Sequence, residues 1–110
     1  MKFNGVGAAF GDGRIRHSAI FRLSHNAGSA EEASFLVALA RLQSIPGVEG
    51  FEIAREVSPK NGFAFAVSMQ FADQAAYDAY NADPLHVAFV QGRWIPDVAE
   101  FMEHDTISLD

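Results

Sequence analysis

Phe63-Ala64-Phe65-Ala66-Val67-Ser68-Met69-Gln70-Phe71 alternates from end to end. Phe63, Phe65, Val67, Met69 and Phe71 fall on one side and Ala64, Ala66, Ser68 and Gln70 on the other, the two-residue period of a strand with one face in a core. The large side suits a covering of helices. The small side packs poorly under helices but lets another sheet approach closely. The stretch therefore predicts a sheet with helices on one face and, across a dimer axis, the sheet of a second copy on the other.

The neighbouring segments extend this sheet. Pro59-Lys60-Asn61-Gly62 is a turn signal, and residues 48–58 read as the hairpin partner with Phe51, Ile53 and Val57 inward. Residues 14–24 alternate as well, His17, Ala19, Phe21 and Leu23 against Ser18, Ile20, Arg22 and Ser24. After the turn His25-Asn26-Ala27-Gly28, Ser29-Ala30-Glu31-Glu32 has the form of a capping box, the serine taking a backbone N–H and Glu32 reaching back. Phe35, Leu36, Leu39, Ala40 and Leu42 then recur at helical spacing until Ile45-Pro46-Gly47 stops the helix. Asp73 caps a second helix through Ala82 that carries Tyr77 and Tyr80 one turn apart; Pro84 ends or redirects it, and helix resumes from Leu85 to about Gln91. Extended chain returns after Gly92-Arg93-Trp94-Ile95-Pro96, with Phe101, Ile107 and Leu109 as the apolar positions of a last strand from about Ala99. Strand, helix, strand, strand, helix, strand is the ferredoxin-like βαββαβ unit of the α+β class: a four-stranded antiparallel sheet with its helices on one face.

A chain of 110 residues supports one core. Residues 14–110 form that domain, and residues 1–13, with Gly5, Gly7, Gly11 and Gly13, read as a glycine-rich N-terminal extension. The 49% hydrophobic content leaves apolar surface for a partner subunit, so a homodimer is expected. Eight Lys plus Arg without a cluster and a net charge of −6 argue against nucleic acid, whose affinity is built from phosphate neutralisation. No apolar run reaches the roughly 18–20 residues of a membrane span and no signal core opens the chain, so the expectation is no membrane partner and a cytoplasmic protein. With no cysteine there is no thiolate nucleophile, thiolate metal site or disulfide.

Chemistry concentrates in Tyr80-Asn81-Ala82-Asp83-Pro84-Leu85-His86, where a helix breaks at a proline and a histidine follows at once. Tyr80 and His86 can converge there, His86 as a general base toward a proton next to a carbonyl and Tyr80 as the hydroxyl that orients it or holds a substrate oxygen. A purely structural role for the pair, hydrogen-bonded to each other or to backbone, is the competing reading. His17, on the face of Phe21 and Leu23, can line the same pocket, with Phe21, Phe51, Phe65, Phe89 and Trp94 as apolar walls that any core of this size would also use. His17, His25, His86 and His104 have no paired ligand spacing, so no metal is expected; haem would demand a large cavity. The segment Gly5-Val6-Gly7-Ala8-Ala9-Phe10-Gly11 has Phe10 where a dinucleotide loop needs glycine, and no cofactor is assigned. Glu31, Glu32, Glu49, Glu52, Glu56, Glu100 and Glu103 read as solvated faces.

Ile15-Arg16-His17, Ile45-Pro46-Gly47-Val48, Ala79-Tyr80, Asp83-Pro84-Leu85-His86-Val87-Ala88-Phe89 and Asp105 together resemble the stress-responsive A/B barrel (Dabb) domain, from Ile15 to Asp110. The resemblance implies two protomers packed sheet to sheet as a dimeric α+β barrel. It implies less about activity: many bacterial members have no assigned reaction, some plant members are oligomeric stress proteins, and one plant member closes a polyketide ring by aldol condensation. That member's catalytic tyrosine and histidine fall on Tyr80 and His86 and its first-strand histidine on His17, while a further pocket histidine is replaced by Phe65. Three functions follow as expectations: a dimer binding a small, partly apolar molecule; a cofactor-independent lyase or cyclase; and a non-enzymatic assembly protein with a filled interior.

Overall fold

The computed structural model describes residues 13–109; of the glycine-rich extension, residues 1–12 lie outside the described residues. The elements are β1 (Ile15–Leu23), α1 (Ala30–Ala40) with a 3-10 turn at Arg41–Ser44, β2 (Glu49–Arg55), β3 (Phe65–Phe71), α2 (Gln74–Ala82), α3 (Pro84–Phe89), a π turn at Val90–Trp94, the one-turn α4 (Ile95–Asp97) and β4 (Val98–Ile107). The four strands form an open antiparallel sheet in the order β2-β3-β1-β4. This is the ferredoxin-like architecture, with β1 and β3 central and β4 at an edge.

The alternation works as the sequence implies. Ile15, His17, Ala19, Phe21 and Leu23 of β1 and Phe65, Val67, Met69 and Phe71 of β3 are buried on one face, packed with Phe35, Leu39 and Leu42 from the first helical segment, Tyr80 from α2 and Phe89 from α3. Phe21 is at the centre of an aromatic cluster, its ring 5.8 Å from Phe35, 5.6 Å from Phe65 and 5.1 Å from Trp94. The opposite sheet face carries Ser18, Ile20, Ala66, Ser68 and Met102 in matched register, and none of these belongs to the core that the described helices pack against.

The caps act locally. Ser29 Oγ accepts the Glu32 backbone N–H, but the Glu32 carboxylate reaches back to the Gly28 N–H and not to that of Ser29, because the Ser29 N–H already closes a turn onto the Asn26 carbonyl. Asp73 accepts from the Ala76 N–H at the start of α2. Asp83 accepts from the Leu85 N–H, and Pro84 occupies the first turn of α3, where its missing N–H costs no helical bond.

Two expectations need correction. β2 ends at Arg55, so Val57 is not inward but 82% exposed. The strand is irregular between Glu49 and Glu52, where Gly50 adopts a positive φ of 58° that favours glycine. The helix expected to end at about Gln91 instead continues through the π turn and α4 to Asp97, after which β4 begins at Val98, as the return to extended chain after Pro96 implies. Asp97 secures this end: its backbone carbonyl accepts from the Ser24 N–H, while its carboxylate lies 3.2 Å from His25 Nε2 and 3.4 Å from Arg93 Nε.

Candidate functional site

On the helix-covered side of the sheet, β1 carries Ala19 between His17 and Phe21, and its register partners are Val67 on β3 and Glu103 on β4. No large side chain rises from this point. A cavity of about 560 Å³ opens above it, bounded by Leu39 and Leu42, by Tyr77, Tyr80 and His86, and by Phe89, Trp94 and Phe101. Its exposed rim includes Ile95 and Phe101, 61% and 49% accessible. The opening lies along β4, a sheet edge whose inward side chains stay exposed: Phe101 meets the edge of Trp94 at 5.4 Å and 75° yet is 49% accessible.

The polar groups gather at one end. His86 follows the α2–α3 break and turns back onto Tyr80, with ring centroids 4.3 Å apart. His86 Nδ1 lies 3.3 Å from the Asn81 carbonyl, which can only accept, so the Nδ1 carries the proton and neutral His86 keeps its lone pair on Nε2. Burial holds the His86 pKa below its ordinary value, outweighing the opposing pull of the Asn81 carbonyl. The ring is therefore a neutral base at pH 7.

Tyr80 is 2% exposed and its hydroxyl has no hydrogen-bond partner among the described residues. Since no fully buried side-chain polar atom among them lacks a partner, that hydroxyl meets the cavity. Burial, followed by the nearby Tyr77 and Glu103, pushes its pKa well above the ordinary phenol value, so it is a proton donor and not a phenolate.

A second polar group lies beside the first. Asp105, register partner of His17, accepts from His17 Nδ1 at 2.6 Å and from the Tyr77 hydroxyl at 2.8 Å. Tyr77 is also raised in pKa, by burial first and by its bond to Asp105 next. The carboxylate can only accept, so it holds a proton on His17 Nδ1. His17 is 6.3 Å from Tyr80, ring to ring.

His17, Tyr80, His86, Phe89 and Trp94 thus share one cavity, while Phe21, Phe51 and Phe65 do not line it. Phe21 and Phe65 are enclosed in the aromatic cluster, and Phe51 packs at the edge of the core on β2. Sequence reading missed three participants. Tyr77 was visible one turn before Tyr80, whereas Asp105 joins His17 across 88 positions through strand register alone. Glu103, read as solvated, is indeed exposed but also borders the cavity. Among the described residues no three of His, Asp and Glu gather closely enough to hold a metal, and no helix is long and apolar enough to cross a membrane.

The model of the stress responsive A/B barrel domain matches residues 15–108. The chain belongs to the Dabb family. A Dabb family protein with a ferredoxin-like fold from Mesorhizobium loti is 49% identical, with a TM-score of 0.87 over 89% of this chain and 99% of that one. A hydroxynitrile lyase from Passiflora edulis superposes with a TM-score of 0.79 over 90% of this chain and 96% of its own, at 16% identity. A dimeric ferredoxin-like protein of unknown function from Thermobifida fusca gives 0.73 over 89% and 93%, at 22% identity. At such identities these last two share the Dabb fold and no more. No curated protein matches the sequence significantly.

Proposed function

We propose that this Dabb chain acts as a homodimer whose cavity binds a small, partly apolar molecule bearing a carbonyl or hydroxyl oxygen, with Tyr80 and His86 as its polar contacts. The observation that carries this is the Tyr80 hydroxyl: it sits at the tip of a buried ring, meets the cavity and has no acceptor among the described residues. A ligand oxygen entering the cavity can take the hydrogen bond that this donor otherwise gives to water. The apolar remainder, Leu39, Phe89, Trp94 and Phe101, suits an aromatic or short aliphatic body. The homodimer is supported by the small-residue face of Ser18, Ala66 and Ser68, which invites a second sheet and would complete a barrel. Thermal-shift and NMR screening of aromatic aldehydes, ketones and alcohols tests the reading, since a ligand selective for the folded state must raise its stability. Absence of any response would count against it.

A catalytic version has specific support in the opposed proton preferences of the pair. His86 Nε2 would take a proton from the carbon beside a carbonyl, or from a hydroxyl, while the Tyr80 O–H donates a hydrogen bond to the carbonyl oxygen. This is cofactor-independent lyase or cyclase chemistry, and the reading is supported by the sharing of this fold with a hydroxynitrile lyase from Passiflora edulis. Deuterium incorporation beside the carbonyl of a bound ketone in D₂O, lost in His86→Ala, is the expected signature; exchange no faster than in buffer would remove the catalytic version and leave binding. The filled interior expected of a purely assembling protein is at odds with the 560 Å³ cavity.

A further inference from the structure

We infer that the cavity selects its ligand by charge: it takes uncharged carbonyl compounds and turns away carboxylates of the same shape, with Glu103 on β4 as the residue that does so. The inference rests on the ligand-binding reading above and adds a substrate class to it. Among the described residues no lysine or arginine lines the cavity, and Glu103 is the one carboxylate that does. Among the described lining residues an acidic ligand would thus find no lysine or arginine to pair with, and the Tyr80 hydroxyl is an uncharged donor.

Glu103 is held on the inner face by its register with Ala19, whose methyl offers its carboxylate nothing. It makes no hydrogen bond or ion pair among the described residues. The chain does pair other carboxylates of similar setting: Glu100, on the opposite face of β4, lies 3.3 Å from Arg22, and Glu49 lies 2.6 Å from Arg14. Asp105 stands two residues further along the inner face and adds a second carboxylate behind His17 and Tyr77. Burial acts first on both groups, and Glu103 adds a smaller push toward the protonated forms of Tyr80 and His86. A ligand carboxylate entering between them would lose its water and meet like charge, whereas a ketone or amide would meet neither cost.

The test compares 4-phenylbutan-2-one and 3-phenylpropanamide with 3-phenylpropanoate, which share an aryl-ethyl body, by NMR titration of the full chain at low salt and pH 8. The neutral pair is expected to bind at least about tenfold more tightly than the acid, because surface-proximal charges interact strongly at low ionic strength. Glu103→Gln is expected to narrow that ratio to about threefold or less, and raising salt on the unaltered protein should narrow it in the same direction. The salt series does not depend on how the variant folds. Equal or tighter binding of the acid overturns the inference alone, as does a ratio that neither Glu103→Gln nor salt changes, which would assign the preference to shape. Binding by none of the three probes overturns the cavity reading and this inference together.

Discussion

The Tyr80 ring lies 4.3 Å from the His86 imidazole, centroid to centroid, at an interplanar angle of 44°. Tyr80 packs with its other side toward Phe71, at 5.0 Å, so the ring is core and only its hydroxyl serves the cavity. Tyr80→Phe should therefore fold with a Tm close to that of the parent and bind a neutral carbonyl ligand about 5- to 10-fold more weakly, the worth of one hydrogen bond. Tyr80→Ala should instead lose about 3–5 kcal/mol of stability through the void it leaves. Chemical denaturation beside ligand titration separates the two effects; equal affinity in Tyr80→Phe would show that the hydroxyl does not touch the ligand.

His86 titrates below its ordinary value because burial disfavours the cation. Unfolded, the same ring takes its proton near pH 6.5. The unfolded chain thus binds more protons than the folded one between the two values, and the His86 contribution is present above about pH 6.5 and declines as pH falls toward the folded value. NMR titration should give a midpoint below 6.5 for His86. The fall in stability on acidification should be less steep in His86→Asn than in the parent. A midpoint at or above 6.5 would mean that the ring is solvated, or paired with an acid, and is not the neutral base described here.

Ala19 is the floor of the cavity, 3% exposed between Val67 and Glu103. Ala19→Leu adds atoms at this almost fully enclosed position, so a destabilisation of about 1–3 kcal/mol from overpacking is expected as they push into the cavity. Ligand binding should disappear while the chain still folds with a modestly lowered Tm. Retained affinity at an intact fold would place the ligand elsewhere.

Asp105 holds His17 Nδ1 and the Tyr77 hydroxyl together, at 2.6 Å and 2.8 Å. Its side chain is 40% exposed, so solvent weakens each interaction. Asp105→Asn should cost about 1 kcal/mol, near the lower end for hydrogen bonds to a charged partner. It should also release the His17 tautomer, which ¹⁵N shifts of the imidazole report directly. Unchanged shifts would show that the backbone, not the carboxylate, orients that ring.

The fold was legible wherever a residue's neighbours in sequence decided its environment. The alternation of β1 and β3, the Ser29 and Asp73 caps and the break at Pro84 are local patterns, and each reappears in the structure. Val57 was misread because alternation says nothing of where a strand ends; β2 stops at Arg55 and the chain leaves the sheet. The candidate site was legible in half. Tyr80 and His86 meet across a local helix break, but the His17–Asp105 pair depends on the β1–β4 register, which no short window contains. The cavity itself follows from something small: Ala19, beside bulky neighbours on a core face, leaves room that a motif search has no reason to notice.

The most direct test of the central claim is a ¹H–¹⁵N NMR titration of the parent and of Tyr80→Phe with 4-phenylbutan-2-one. Shifts concentrated at Ala19, Asn81, His86 and the Trp94 indole, weakened about 5- to 10-fold in affinity by Tyr80→Phe, are predicted from a ligand in the cavity held by that hydroxyl. Shifts confined to the Ser18, Ala66 and Ser68 face, or affinities indifferent to Tyr80→Phe, would contradict it.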